Sequence, residues 1–194
     1  METILTIDFD IIMWENIESY NYMVEGISDD MGLISERMNI INSIQPDYNL
    51  YYQLSQLLLN ASKNHIPIYF VNSHEECSGY LTQKCRVINI DHHHDLGYGD
   101  NIYYQSLSCG NWAFNKLKNG IIDSYLWLHE RTSIPSYKNN FLYDKYKIYD
   151  YMIQDINLQN LINCNKIIIS YSLPWIPVHI RPLFLLWEHL FKGE

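Results

Sequence analysis

Residues 87–95 carry the pattern that decides the fold, Val87-Ile88-Asn89-Ile90-Asp91-His92-His93-His94-Asp95. The run Val87–Ile90 is rich in β-branched side chains, which predicts a buried strand. Acids and histidines fill every position from Asp91 to Asp95, directly after that strand. Ligands of an open α/β sheet bind outside the carboxyl ends of its strands. The stretch therefore predicts a parallel sheet whose carboxyl edge carries polar chemistry.

Two other predicted strands end in residues of the same kind. One occupies residues 4–9 and ends in Asp8-Phe9-Asp10, and the other occupies residues 66–71 and is followed by His74-Glu75-Glu76. Further strands are predicted at residues 121–128 and 166–170, and helices at residues 50–63, 110–119, 156–164 and 178–191. The alternation of strands and helices predicts an α/β fold, a three-layer α/β/α arrangement around a mostly parallel sheet. We expect a single domain over residues 1–194.

The helix predicted at residues 50–63 is amphipathic. Its apolar residues recur at helical spacing and share one face: Leu50, Leu54, Leu57, Leu58 and Ala61. Residues 15–49 and 130–154 are instead polar and rich in tyrosine and asparagine, and they show no clear periodicity. We expect loops or short helices in both segments.

Composition excludes several classes of protein. The chain has 22 acidic against 13 basic residues and a net charge of −9, which argues against a nucleic-acid partner. No window reaches the ~18 uncharged apolar residues of a membrane span, and the first residues lack the features of a signal peptide. None of the four cysteines forms a Cys-x-x-Cys pair, so no zinc knuckle is indicated. We therefore expect a cytoplasmic protein with free thiols and no membrane partner.

The acids and histidines at the strand ends have the spacing of metal ligands. Side chains at alternate positions of an extended segment point the same way, so Asp8 can face Asp10, and Asp91-x-His93-x-Asp95 can face one point. His92 and His94 would then point to the other side. With His74, this gives the candidate ligands Asp8, Asp10, His74, Asp91, His93 and Asp95.

So many carboxylates in one place repel each other unless cations lie between them. Mixed carboxylate and imidazole ligands suit Mn²⁺, Fe²⁺ or Zn²⁺, and a carboxylate-rich set favours Mn²⁺. Two ions with bridging carboxylates would use all of these ligands. Asp-x-Asp alone is commonly a loop start or a helix cap, and a lone His a loop residue. The three elements together, each at a strand end, favour the metal site.

These residues resemble the ureohydrolase superfamily, the arginase and agmatinase group. That family binds two Mn²⁺ ions through a His, an Asp-x-His-x-Asp and a later Asp-x-Asp, each at a strand end. Here the Asp-x-Asp element, Asp8 and Asp10, comes first, as in a circularly permuted sheet. Within the superfamily the chain is similar to the peptide arginases, which carry a Cys-Gly-Asn-Trp segment after Asp-x-His-x-Asp. Cys109-Gly110-Asn111-Trp112 stands in that position.

The resemblance implies an arginase-like domain that hydrolyses arginine side chains of a ribosomally made precursor peptide to ornithine, with release of urea. It implies that Asp8 and Asp91 bridge two Mn²⁺ ions. His74 and Asp95 would complete the ligands of one ion, and His93 and Asp10 those of the other. The departing amine needs a proton, and the candidates for its transfer are His92, His94 or a protonated Asp91.

Substrate-binding candidates lie beside the metal motifs. A planar guanidinium is held best by a carboxylate that accepts two parallel hydrogen bonds, which points to Glu75 or Glu76. Glu76 would share the direction of His74 if this segment is extended. Trp112 either contacts the alkyl chain of the substrate or belongs to the core. Asn111 either contacts substrate or caps the helix that follows.

Two alternative functions remain open. Asp91-His92-His93 is also the motif of DHH-type phosphoesterases, which place two metal ions on similar acids. That family adds a glycine-rich phosphate-binding motif, whereas residues 170–194 contain a single glycine, Gly193. The other alternative is a non-catalytic binding protein on an arginase-like scaffold. The sequence assigns neither the precursor peptide nor an oligomeric state.

Overall fold

The computed structural model describes residues 1–14, 44–97, 107–131, 133, 145–172 and 176–192. Its strands are β1 (Glu2–Asp8), β2 (Met13–Trp14), β3 (Gln45–Pro46), β4 (Ile68–Val71), β5 (Cys85–Ile90), β6 (Ile122–His129), β7 (Lys147–Met152) and β8 (Lys166–Ser170). Its α-helices are α1 (Tyr48–Lys63), α2 (Trp112–Lys118) and α3 (Arg181–Phe191). Short 3-10 helices occupy Phe9–Ile12, His74–Tyr80, Ile153–Asp155 and Leu158–Asn163.

Six of the strands form one parallel sheet in the order β4-β8-β1-β5-β6-β7. Strand β1 lies in the middle, where Ile4 pairs with Val87 of β5 and Ile7 pairs with Ile169 of β8. The two remaining strands, β2 and β3, form a short antiparallel pair. Because the six strands run in one direction, their carboxyl ends meet at one edge. The predicted α/β class with a mostly parallel sheet is confirmed.

Helices cover both faces of the sheet. Helices α1 and α3 pack on the face that carries Leu5 and Ile7, with Trp187 of α3 buried in that layer. Helix α2 packs on the opposite face, where its Phe114 meets the layer that contains Ile4. The central strand β1 is buried on both sides, as expected for a parallel sheet between helical layers. The three-layer α/β/α arrangement is therefore present.

Helix α1 begins and packs as its sequence dictates. Asp47 precedes it, and the Asp47 carboxylate accepts the backbone N–H groups of Asn49 and Leu50 at 2.9 Å each. Such a cap contributes about 1 kcal/mol. The buried residues are the predicted ones: Leu50, Leu54, Leu57, Leu58 and Ala61. Burial of a leucine side chain contributes about 1.5–3 kcal/mol, so this face stabilises the layer far more than the cap does.

Two expectations for secondary structure differ from the structure. The helix predicted at residues 156–164 is the 3-10 helix Leu158–Asn163, opened by Asn157, whose side chain accepts the Gln159 N–H. Its asparagines compete for backbone hydrogen bonds and disfavour an α-helix. Strand β7 lies within residues 130–154, where no strand was expected. It is an edge strand with Tyr149 and Tyr151 exposed, so it lacks the apolar run of an inner strand.

The expectation for residues 15–43 lies outside the described residues. Within the described part of the chain, no helix is long and apolar enough to cross a bilayer.

Candidate metal centre

Three strand ends of the sheet meet at one point of its carboxyl edge. Asp8 is the last residue of β1, and Asp91 follows the neighbouring strand β5 directly. His74 follows β4, which is separated from β1 by β8. Strand β8 ends in Ser170, a small side chain, and His74 comes within 3.3 Å of Asp8. The sheet order therefore brings an imidazole and two carboxylates together from distant parts of the chain.

His74 lies at the centre of the first cluster. Its Nδ1 is 2.8 Å from Asp95 Oδ2, 3.1 Å from Asp91 Oδ2 and 3.3 Å from Asp8 Oδ2. A single ring N–H donates one good hydrogen bond, and this nitrogen makes none of good geometry within the described structure. Ligand atoms around one cation at metal–ligand distances of about 2.1 Å lie about 3 Å apart. The ligand atoms of His74, Asp8 and Asp91 all lie within 4.8 Å of one another and could hold a metal ion. Asp95 is close to His74 but does not belong to this group.

A second cluster adjoins the first and shares one residue with it. His93 Nδ1 lies 3.2 Å from Asp10 Oδ2 and 3.8 Å from Asp91 Oδ1. Asp91 therefore presents one carboxylate oxygen to each cluster. Within the described structure, Asp8 Oδ1 and Asp10 Oδ1 are buried without a hydrogen-bond partner. Buried carboxylate oxygens of this kind are normally paired or coordinate a metal, so the donor set fits divalent cations.

Neighbouring polar groups hold the carboxylates in place. Asn89 donates its amide to Asp91 Oδ2 at 3.1 Å, and Thr6 of the adjacent strand fixes that amide through a 2.6 Å hydrogen bond. Ser172 donates its hydroxyl to Asp8 Oδ2 at 2.8 Å. The indole N–H of Trp112 donates to Asp95 Oδ2. Such partners orient metal ligands and fix which oxygens face the ion.

Electrostatics in the cluster favour a bound cation. Burial, with the nearby Asp8, raises the pKa of Asp10 to about 7, against the lowering effect of His93. Burial, with Asp95, raises the pKa of Asp91 to about 7. The pKa of His93 rises to about 10 because Asp10 and Asp91 outweigh the desolvation of its ring. Near and below neutral pH, the metal-free protein therefore keeps protons on part of these acids, and a bound cation would displace them.

The ligands converge through turns rather than through the extended alternation expected from the sequence. Asp10 lies in the 3-10 helix Phe9–Ile12, and His74 opens another 3-10 helix. Residues 91–93 form a bend, and Asp95 has a φ of 53°. That left-handed conformation is uncommon outside glycine, although Asp tolerates it. It belongs to the turn that brings Asp95 within 2.8 Å of His74.

The two histidines beside His93 face away from the cluster, and both are buried. The backbone N–H of Leu96 donates to His94 Nδ1 at 3.0 Å, and the His94 ring meets the Trp127 ring edge-on. His92 Nδ1 lies 3.3 Å from the Ser133 hydroxyl, and its ring packs against that of His93 with centroids 5.0 Å apart. Burial, with the charge of His93, lowers the pKa of both rings to about 3. Near neutral pH both are uncharged.

The two glutamates expected to bind substrate differ from each other. Glu76 is exposed, and its Oε2 accepts the Asn72 N–H at 3.3 Å. It does not share the direction of His74, because this segment is helical rather than extended. Glu75 is half-buried, and its charge joins burial and Asp95 in raising the pKa of Cys109 to about 11. Glu75 is therefore less exposed than Glu76 and close enough to Cys109 to affect the ionisation of its thiol.

Trp112 packs against the candidate metal centre, and Asn111 precedes it in the chain. Trp112 is fully buried, with its ring centroid 5.1 Å from that of His74, so it does not line an open surface for substrate. Asn111 occupies the N-cap position of α2 without capping it. Its Oδ1 instead accepts the Ser108 N–H and an Asn115 amide N–H, each at 2.9 Å. The burial of Trp112 agrees with the core alternative, and its indole N–H donates to the candidate ligand Asp95.

Sequence analysis missed two residues at this edge. Ser172 follows β8 and binds Asp8, and Glu130 follows β6 and is buried. Like the other candidates, Glu130 is a charged residue at the end of a predicted strand. The sequence does not single it out, because Glu130 opens the polar segment 130–154, which shows no clear periodicity.

Comparison with family models, curated proteins and solved structures gives no match. The likeness to ureohydrolases therefore rests on the quoted motifs and stays a prediction. The structure supports a more general statement about metal binding. Two groups of acids and histidines, Asp8-His74-Asp91 and Asp10-Asp91-His93, could hold a metal ion.

Proposed function

We propose that this chain is a metal-dependent hydrolase that converts arginine side chains of a peptide to ornithine and releases urea. The observation that carries the proposal is the shared carboxylate of Asp91, which faces both ligand clusters. Adjacent ions with a common carboxylate are typical of hydrolases that activate water. The order of the ligand motifs, as in a rotated ureohydrolase, supplies the substrate class.

The proposed cofactor is two Mn²⁺ ions. One would be held by Asp8, His74, Asp91 and Asp95, and the other by Asp10, Asp91 and His93. Carboxylate oxygens with a minority of imidazole nitrogens suit Mn²⁺ better than a thiolate-rich set would. When bound, such ions lower the pKa of water and make hydroxide available near neutral pH.

The proposed reaction also needs a residue that transfers a proton to the departing amine. Hydrolysis adds one water across the bond between the guanidinium carbon and the side-chain nitrogen, and the departing amine takes up a proton. Asp91 is the first candidate for this proton transfer, because one of its carboxylate oxygens faces each cluster. His94 is the weaker candidate, because its Nδ1 is engaged by the Leu96 N–H. The third candidate is His92, whose ring packs against that of His93 and is neutral near pH 7.

The proposed substrate approaches from the side of His93. The His93 side chain is 31% exposed, whereas the side chains of Asp10 and Asp91 are at most 1% exposed. A net charge of −9 also favours a positively charged peptide over an anionic substrate.

The experiment is coexpression with a library of peptides that each contain one arginine in varied flanking sequence. Mass spectrometry should show a loss of about 42 Da, and a colorimetric assay should detect urea that depends on Mn²⁺. Asp91→Ala and His93→Ala should abolish both signals, and Asp155→Asn, at an exposed acid, is the matched control. Release of phosphate from an oligonucleotide without urea would instead support a phosphoesterase. Peptide binding without any product would support the non-catalytic alternative.

A further inference from the structure

Glu130 is a buried acid at the edge of the sheet that carries the metal centre. Glu130 directly follows β6, the strand that pairs with β5. The ends of these two strands are joined by a hydrogen bond, in which the Asp91 N–H donates to the Leu128 carbonyl at 3.1 Å. The exposed fraction of Glu130 is only 9%. Its carbonyl accepts two hydrogen bonds, from His129 Nδ1 at 2.8 Å and from the Ser133 N–H at 3.2 Å. The backbone at Glu130 is therefore fixed beside Asp91.

The Glu130 carboxylate lacks a partner within the described part of the chain. Among the described residues, the hydrogen bonds of Glu130 are made by its backbone and none by its carboxylate. The charges that it senses most are those of Asp47 and Asp10, which, after burial, raise the pKa of Glu130 to about 8. Buried carboxylates are otherwise paired with a cation or fully hydrogen-bonded. A buried acid beside a candidate catalytic centre, whose nearest influential charges are also acidic, has the electrostatics of a site for a cation.

We infer that Glu130 binds the positively charged guanidinium group of the substrate and holds it over the metal centre. This inference rests on the proposed function. A carboxylate can accept two parallel N–H···O bonds from a planar guanidinium, which fixes both position and orientation. Glu76 is less suited, because its carboxylate accepts the Asn72 N–H and is exposed. The same acids would repel a phosphate.

Glu130→Gln tests this role with little change in shape, because it removes the charge alone. The two probes are an arginine peptide as substrate and the same peptide with citrulline, a neutral isostere expected to compete with it. In the manganese-loaded enzyme, the KM for the arginine peptide should rise about 10- to 100-fold in Glu130→Gln, since charged hydrogen bonds are lost. The inhibition constant of the citrulline peptide should change less than about threefold. Glu130→Asp, which keeps the charge but shortens the side chain, should fall between these values.

Asp155→Asn, at an exposed acid, should leave all constants unchanged. Manganese content and melting temperature are measured for each variant. The inference is overturned if Glu130→Gln keeps the wild-type KM, or if it loses manganese, which would make Glu130 a ligand of the centre.

Failure of the proposed function gives a different result. In that case the wild-type enzyme releases no urea from any arginine peptide. Calorimetry then still tests Glu130, because the wild type should bind the arginine peptide more than tenfold tighter than the citrulline peptide. Glu130→Gln should bind the two equally. Equal binding of both peptides by the wild type would overturn the inference as well.

Discussion

Asp91→Asn should change stability in opposite directions with and without metal. Asp91 is fully buried, and its pKa is raised from 3.8 to about 7. At pH 8 the metal-free native state therefore holds an ionised group that is about 4 kcal/mol less favourable than in the unfolded chain. Asparagine removes that charge and keeps the shape. One of its polar atoms becomes a donor that faces a donor, His93 N–H or Asn89 Nδ2, at a cost of about 1–3 kcal/mol.

The net expectation for the metal-free variant is a gain of about 2 kcal/mol, or a rise in Tm of about 4–8 °C for a chain of this size. Manganese reverses the order. At 100 times the dissociation constant, one bound ion stabilises the wild type by about 2.7 kcal/mol, and Asp91→Asn loses this contribution because both clusters use Asp91.

The assay is thermal unfolding at pH 8 in a chelator and in saturating MnCl₂, with Asp155→Asn as the control. The reasoning is refuted if Asp91→Asn melts below the wild type by the same margin in both conditions. It is also refuted if Mn²⁺ raises the Tm of the variant as much as that of the wild type.

Three further predictions concern pH, a positioning residue and the core. In the metal-free protein the pKa of His93 is about 10, above its unfolded value of 6.5, so its stabilising effect is present below pH 6.5 and fades as the pH rises toward 10. The free energy of unfolding, measured by urea titration in chelator, should therefore fall between pH 7 and 9, by at most about 1.4 kcal/mol per pH unit for one group. A flat profile would contradict the ion pairs of His93. Trp112→Phe keeps the buried bulk but removes the donor to Asp95, so calorimetry should show Mn²⁺ affinity lowered about 10- to 100-fold. Unchanged affinity would mean that the indole only packs. Leu57→Ala, at a fully buried position of α1, should lower the free energy of unfolding in urea by about 2–5 kcal/mol, whereas Leu59→Ala on the exposed side should change it little.

The sheet was predictable from the sequence because its inner strands are buried on both faces and are therefore continuous apolar runs. Strand β8 and the buried face of α1 match the prediction residue for residue. The edge strand β7 was not predicted, because a strand buried on one side leaves tyrosines in solvent and resembles a polar loop. Local sequence does not record which strand lies at an edge, since that depends on the order of pairing across the whole chain.

The residues of the candidate site were predictable as a set, and their geometry was not. The position at strand ends selected Asp8, Asp91 and His74. In the structure, His74 Nδ1 lies 3.3 Å from Asp8 Oδ2 and 3.1 Å from Asp91 Oδ2. The alternation argument would have kept these segments extended, whereas bends and 3-10 helices direct the side chains. The role of Trp112 depends on a hydrogen bond across 17 positions of sequence, which no local pattern encodes.

The central position of β1 has a consequence for how the protein is made. Asp8 is synthesised before its hydrogen-bond donor, because the hydroxyl that holds it belongs to Ser172, 164 positions later in the chain. At ordinary rates of translation this interval is roughly 10–30 s, during which β1 lacks its neighbour β8. The metal centre therefore cannot be completed until that late strand has been synthesised and has closed beside β1. Contacts of such long range also predict slow folding, so any cation at the candidate site would bind last, after the sheet has formed.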